Sequence, residues 1–71
     1  MKKGIVIVDH GSKKIESNKM LEEVTHLFHD KFKDKYDIVE PAHMELAEPS
    51  IETAYRNCVS KGADFIVICP F

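Results

Sequence analysis

The chain has 71 residues, of which 44% are apolar and 31% charged, and a formal net charge of −2. This is the composition of one small globular domain rather than of a disordered chain, and its slight acidity argues against a nucleic-acid partner. No apolar run is long enough to span a membrane, and Cys58 and Cys69 stand far apart with no CxxC pair, which argues against a disulfide or zinc framework and for a reducing compartment.

Small chains sit near balance, because each ordered residue costs roughly 1.5 kcal/mol of conformational entropy against the apolar area it helps to bury. A domain of this size needs a good core, a partner, or membership of something longer. The start, Met1-Lys2-Lys3-Gly4, lacks the length and small-residue cleavage site of a secretory signal. It reads instead as the approach to a first strand over Gly4–Val8, a β-branched run without polar alternation, as in a strand covered on both faces. A polar loop is expected from Asp9 to about Glu16. Ser17 or Asn18 then serves as N-cap of a first helix whose apolar face is Met20, Leu21, Val24, Leu27, Phe28 and Phe32, with a solvated lysine and aspartate run after it.

A second extended segment is expected from Tyr36 to about Met44. It contains Pro41, which cannot donate to a ladder and so places the strand at a sheet edge. Pro49 suits the first turn of a second helix, with Ile51, Ala54, Tyr55, Cys58 and Val59 as its buried stripe and Gly62 as its terminator. Phe65–Cys69 reads as a third buried strand, followed by Pro70 and Phe71. The order βαβαβ implies a three-layer parallel sheet with right-handed crossovers. An apolar first strand belongs at the centre and the polar second strand at an edge, giving the order 2-1-3. The third strand then lacks a neighbour that its composition calls for, so the expectation is a piece of a longer domain or a second copy covering that edge.

In open α/β sheets ligands bind beyond the carboxyl ends of the strands, where the strand order reverses. His10 falls just past the first strand and Glu45 just past the second. Around His10, Gly11 permits unusual backbone angles or a close ligand approach, Ser12 offers a hydroxyl, and Lys13 and Lys14 bring positive charge. Each has a plainer reading: His10 as a loop cap, Glu45 as a carboxylate near a helix start, the lysines as solvated. His43 is either a donor behind the site or an edge-strand surface residue. His26 and His29 are three apart but fall opposite the apolar stripe, so an exposed face is expected. Cys58 belongs to the core, and no chemistry is assigned to Cys69.

The segments "VDHGSKKIESNKMLEEV", "IVEPAHMELAEPSIETA" and "GADFIVICPF" together resemble the sirohydrochlorin chelatases of siroheme and cobalamin synthesis, and are most similar to the plant and algal ferrochelatase type. HGS alone would be weak; HGS after the first strand joined with MELAEPSI after the second is specific. The resemblance covers essentially the whole chain, as the N-terminal part (residues 1–71) of an incomplete flavodoxin-like chelatase domain. It implies insertion of Fe2+, or Co2+ in cobalamin-making relatives, into sirohydrochlorin, with no nucleotide and no cofactor beyond the substrate metal. It carries the role of metal ligand and proton acceptor to His10 and that of a second active-site group to Glu45; Gly11, Ser12 and Lys13 are expected as substrate contacts from their place beside His10. Family members also use a second histidine shortly after the third strand. The chain stops before it, so a weak or inactive isolated chain is expected.

The chemistry suits these residue types. Metal insertion strips water from a divalent ion and removes two pyrrole N–H protons. Imidazole is a borderline ligand suited to Fe2+ and Co2+ and a side chain that exchanges protons near neutrality. A carboxylate can relay a proton or hold the incoming ion. Two copies completing one site, as in short homodimeric family members, would supply what one lacks. A cytoplasmic setting is the default, and a plastid one if the parent is a plant or algal enzyme. The alternatives are a non-catalytic module that binds a tetrapyrrole or a partner chain, and a histidine phosphatase. The last is disfavoured because Asp9 stands where a phosphate-binding arginine is needed.

Overall fold

A computed structural model describes residues 1–70 of the chain. Five elements follow in the expected order: β1 (Lys3–Asp9), α1 (Ile15–Phe32), β2 (Ile38–His43), α2 (Ile51–Ser60) and β3 (Phe65–Pro70). All strand pairs are parallel and the order is β2-β1-β3. β1 is central, and its residues from Gly4 to Val8 are all buried. β2 is an edge strand, as Pro41 requires. The alternation of the central strand divides the core into two layers. On one face Val6 and Val8 pack with Ile38, Ala42, Ala54 and Cys58, supported by Ala63 and Ile66. On the other, Ile5 and Ile7 pack with Leu21 and Val39, supported by Phe28, Tyr36, Val67 and Cys69. Burying side chains of this size contributes roughly 1.5–3 kcal/mol each.

α2 is delimited by its own side chains. Ser50, not a residue of the first turn, is the N-cap, and its Oγ accepts from the Thr53 amide at 3.1 Å. Pro49 therefore precedes the helix instead of opening it. The far end closes on Gly62 at φ +90°. The Gly62 amide donates to Val59 O and the Ala63 amide to Cys58 O, both at 3.0 Å, which satisfies the last carbonyls of the helix. The helix lies close to β1: a Cβ on Gly4 would stand 3.3 Å from Cys58 Sγ and 3.4 Å from Ala63 Cβ.

Several sequence expectations are corrected. α1 starts at Ile15, before either expected cap, and has no side-chain cap. Asn18 is instead inside the helix, with its amide turned back to the preceding loop. On α1, Met20 and Leu27 are exposed and Thr25 is buried. Thr25 is tolerated there because its hydroxyl donates to Leu21 O at 2.7 Å. On α2 only Ala54 and Cys58 of the expected stripe are buried, whereas Ile51, Tyr55 and Val59 are exposed. β3, read as a buried strand, is exposed or half-buried throughout. The cause is common to all three: a sheet of three strands is too narrow to cover the full apolar width of its helices, and β3 has β1 on one side only.

Candidate functional site

The register that pairs Asp9 with His43 ends β1 and β2 at the same level. The ladder then runs two rungs further, with the Met44 amide donating to Asp9 O at 2.9 Å and the Glu45 amide to His10 O at 3.1 Å. His10 and Glu45 are thus joined through their backbones at one rim of the sheet, and both residues are exposed. Gly11 is what allows the approach. Its φ is +89°, and a Cβ there would stand 1.8 Å from Glu45 O, so no side chain fits.

The loop from Gly11 to Lys14 is held from α1. The Ser12 amide donates to Asn18 Oδ1 at 3.1 Å, and Asn18 Nδ2 donates to Ser12 O at 2.8 Å. Ser12 Oγ accepts from the Lys14 amide at 3.0 Å. The hydroxyl that the sequence offers to a ligand is therefore already a local turn acceptor, with its own proton still to donate. Lys13 is exposed beside the rim, and Lys14 occupies the N-cap position of α1. Pro70 is the last residue of β3, paired with Val8, rather than a residue beyond it. Phe71 lies outside the described residues.

His43 is not a surface residue. It is 2% exposed, and its Nδ1 lies 2.5 Å from Asp9 Oδ1. A carboxylate only accepts, so the ring nitrogen donates. The signal that could have found this pair is parity: the last residues of two paired strands present their side chains on one face. Asp9 is thereby engaged by His43.

Between the ends of β1 and β3 lies an open cavity of about 290 Å³, lined by Val8, Asp9, His10, Met44, Ile51, Ile68 and Pro70. This is where the strand order reverses. An imidazole stands at the edge of a mostly apolar shelf, which suits a flat, partly apolar ligand that meets a metal-binding group. The shelf residues Met44, Ile51 and Ile68 were not singled out from sequence, though apolar side chains at the carboxyl end of such a sheet are a usable signal. A larger groove, about 510 Å³, runs beside β2 between Glu22, His26, His29, Glu40, Pro41 and Lys61. It is away from the rim, and His26 and His29 are exposed there. Among the described residues no cluster of three or more His, Cys, Asp or Glu is arranged to hold a metal. Burial raises the Cys58 thiol above its ordinary value of 9.0, with Glu40 adding to the effect and Lys61 opposing it. That is the setting of a core thiol rather than a nucleophile.

Residues 4–71 match the CbiX family model. The chain is 60% identical over 68 residues to the chloroplastic sirohydrochlorin ferrochelatase of Arabidopsis thaliana, covering 96% of this chain and 29% of that protein. It is 34% identical over 67 residues to the sirohydrochlorin cobaltochelatase of Sulfolobus acidocaldarius, covering 94% of this chain and 51% of that one. The chain thus spans about half the length, or less, of these relatives. The fold is shared with a crystal structure of a cobalamin (vitamin B12) biosynthesis CbiX protein from Marinobacter aquaeolei VT8, at a TM-score of 0.74 and 23% identity, over 99% of this chain and 54% of that one. With the family model matched along nearly its whole length, the chain belongs to the CbiX family.

Proposed function

We propose that this chain carries the His10 and Glu45 side of a chelatase centre that inserts Fe2+, or Co2+, into sirohydrochlorin in siroheme or cobalamin synthesis. The observation that carries this reading is the juxtaposition at the rim: His10 and Glu45 on adjoining strand ends, joined by the Glu45 amide to His10 O bond, beside an apolar shelf. Support comes also from relatives described as sirohydrochlorin ferrochelatase and cobaltochelatase. In this reading the macrocycle lies against Met44, Ile51 and Ile68. His10 ligates the incoming ion and accepts a pyrrole proton, and Glu45 holds the ion or passes the proton on. Gly11 gives the macrocycle close access to the backbone, and Ser12 and Lys13 meet its carboxylates.

An ion that is to be handed on must be held by few ligands, and two protein donors leave its other positions to water and then to the four ring nitrogens. No cofactor beyond the substrate metal is required in this scheme. A second copy of the chain would add donors to the centre, as a homodimer. The chloroplastic relative favours a plastid setting. No helix among the described residues is long and apolar enough to cross a membrane.

The test is to mix the chain, and any longer protein that contains it (the parent protein), with sirohydrochlorin and Co2+ or Fe2+ and to follow the absorbance change of metal insertion. Turnover by the parent that vanishes in His10→Ala is expected. Turnover that persists in that variant ends the assignment. A second reading, in which the 71-residue chain binds the tetrapyrrole without turning it over, is favoured by the apolar shelf beside His10. Binding of sirohydrochlorin by the isolated chain without insertion would select it.

A further inference from the structure

The pair behind the rim, a buried His43 and a half-buried Asp9, has no place in the scheme above. His43 contacts three segments that together shape the site. Its Nδ1 donates to Asp9 Oδ1 at 2.5 Å, at the end of β1. Its backbone amide donates to Pro49 O at 2.8 Å, which draws the far end of the β2–α2 loop, the loop that carries Glu45, back onto β2. Its Cβ lies 3.1 Å from where a Cβ on Gly11 would be, so it underlies the turn that carries the chain away from His10. Leu46, beside Glu45, has φ +70°, a left-handed conformation that costs a residue with a side chain roughly 1–2 kcal/mol and so needs anchoring on both sides.

A hydrogen-bonded imidazole is a costly way to fill a buried position. An apolar side chain of similar volume would bring no polar group of its own to satisfy. What an imidazole adds is direction. The bond from Nδ1 to Asp9 fixes the ring in its plane and locks the last residue of β1 to the last residue of β2, one residue below His10 on one strand and two below Glu45 on the other.

We infer that the Asp9–His43 pair is the positioning device of the rim, holding His10 and Glu45 at the separation from which they can share one divalent ion. This rests on the reading of those two residues as the metal-handling pair. Neither Asp9 nor His43 is a catalytic residue in this scheme; both act through the residues that follow them.

Two substitutions separate positioning from packing. His43→Leu keeps volume and loses the bond. His43→Asn loses volume but returns an amide donor close to the place of Nδ1. Co2+ affinity of the chain, measured by calorimetric titration with the metal alone, is read beside the urea midpoint. Positioning requires His43→Leu to remain folded and to bind Co2+ about tenfold more weakly, the scale on which groups supporting metal ligands act. It also requires His43→Asn to regain most of the affinity while being the less stable of the two. In the parent protein His43→Leu should lower kcat more than it raises the KM for the tetrapyrrole, and His43→Asn should restore most of kcat. Wild-type Co2+ affinity in folded His43→Leu overturns the inference. Should that variant fail to fold, Asp9→Ala, which removes the acceptor at a partly exposed site, is held to the same tenfold loss. The reading beneath it is tested apart: if His10→Ala binds Co2+ as wild type does, the metal assignment of the rim falls and takes this inference with it. If His10→Ala loses binding and His43→Leu does not, only the positioning role is lost.

Discussion

At the entry end of the sheet, two aspartates turn inward. The Lys3 amide donates to Asp37 Oδ2 at 3.0 Å while the Asp37 amide donates to Lys3 O at 2.9 Å. The Lys2 amide and Asp64 repeat the reciprocal bond, both ways at 2.8 Å. Each outer strand is thus clasped to β1 as it begins. At the exit end the backbone rungs also continue, to Met44 and Glu45, and Asp9 and His43 are turned to one another, but His10, Lys13 and Glu45 are left exposed. The polar groups at one end satisfy the chain, whereas His10, Lys13 and Glu45 at the other face solvent. A small sheet leaves one rim open because the opposite rim and the layer just under the open one are closed.

If this division is real, the two rims respond differently to substitution. The largest effect is expected for His10→Ala in the parent protein: loss of metal insertion by roughly 10²-fold or more, the usual weight of a proton-accepting group, with an unchanged urea midpoint. Gly11→Ala should act on both quantities, since its Cβ meets Glu45 O. A cost of about 2 kcal/mol or more is expected from the strained φ and the displaced rim, with weaker Co2+ binding. Asp64→Ala, at the entry rim, should cost about 1 kcal/mol by loss of an exposed hydrogen bond and leave Co2+ affinity unchanged. A matching fall in affinity would show that the two ends are not independent.

The smallest effect concerns pH. Because burial raises the Cys58 thiol above 9.0, the folded chain keeps that proton more tightly than the unfolded one. Its contribution is complete below pH 9 and is lost as pH rises through the folded value. Stability measured by urea at pH 8 and pH 10 should therefore fall more steeply in wild type than in Cys58→Ala, and an equal slope in the two would remove Cys58 from the account. In the native chain at neutral pH, iodoacetamide should label Cys69 first, as read by mass spectrometry.

The strand order was legible because two β-branched runs and one proline-bearing run leave a single sensible arrangement. The placing of Glu45 and His10 at one rim was legible because strand ends are fixed once the order is, whereas the roles given to them rest on the family resemblance alone. The burial of individual helix residues was not. Periodicity describes a helix wrapped on a wide surface, and here the surface is three strands across, so Met20, Leu27, Ile51, Tyr55 and Val59 lie beyond its margins. Thr25 was hidden by its polarity, although its hydroxyl finds Leu21 O within the same helix. Asn18 looked like a cap because caps and loop tethers use the same side chains. The Asp9–His43 pair was missed because an edge-strand histidine is usually wet.

Pro41 lies on the outer strand β2, and beside it the Glu40 side chain is held by Lys61 at 2.8 Å. A strand that approached from that side would meet a residue with no N–H to give and a carboxylate already engaged. β3, on the opposite flank, carries neither obstacle among its residues before Pro70. Any widening of the sheet, whether by more chain or by another molecule, is thereby polarised: it proceeds from the flank next to the His10 shelf, so whatever enlarges the sheet also builds the missing wall of the cavity.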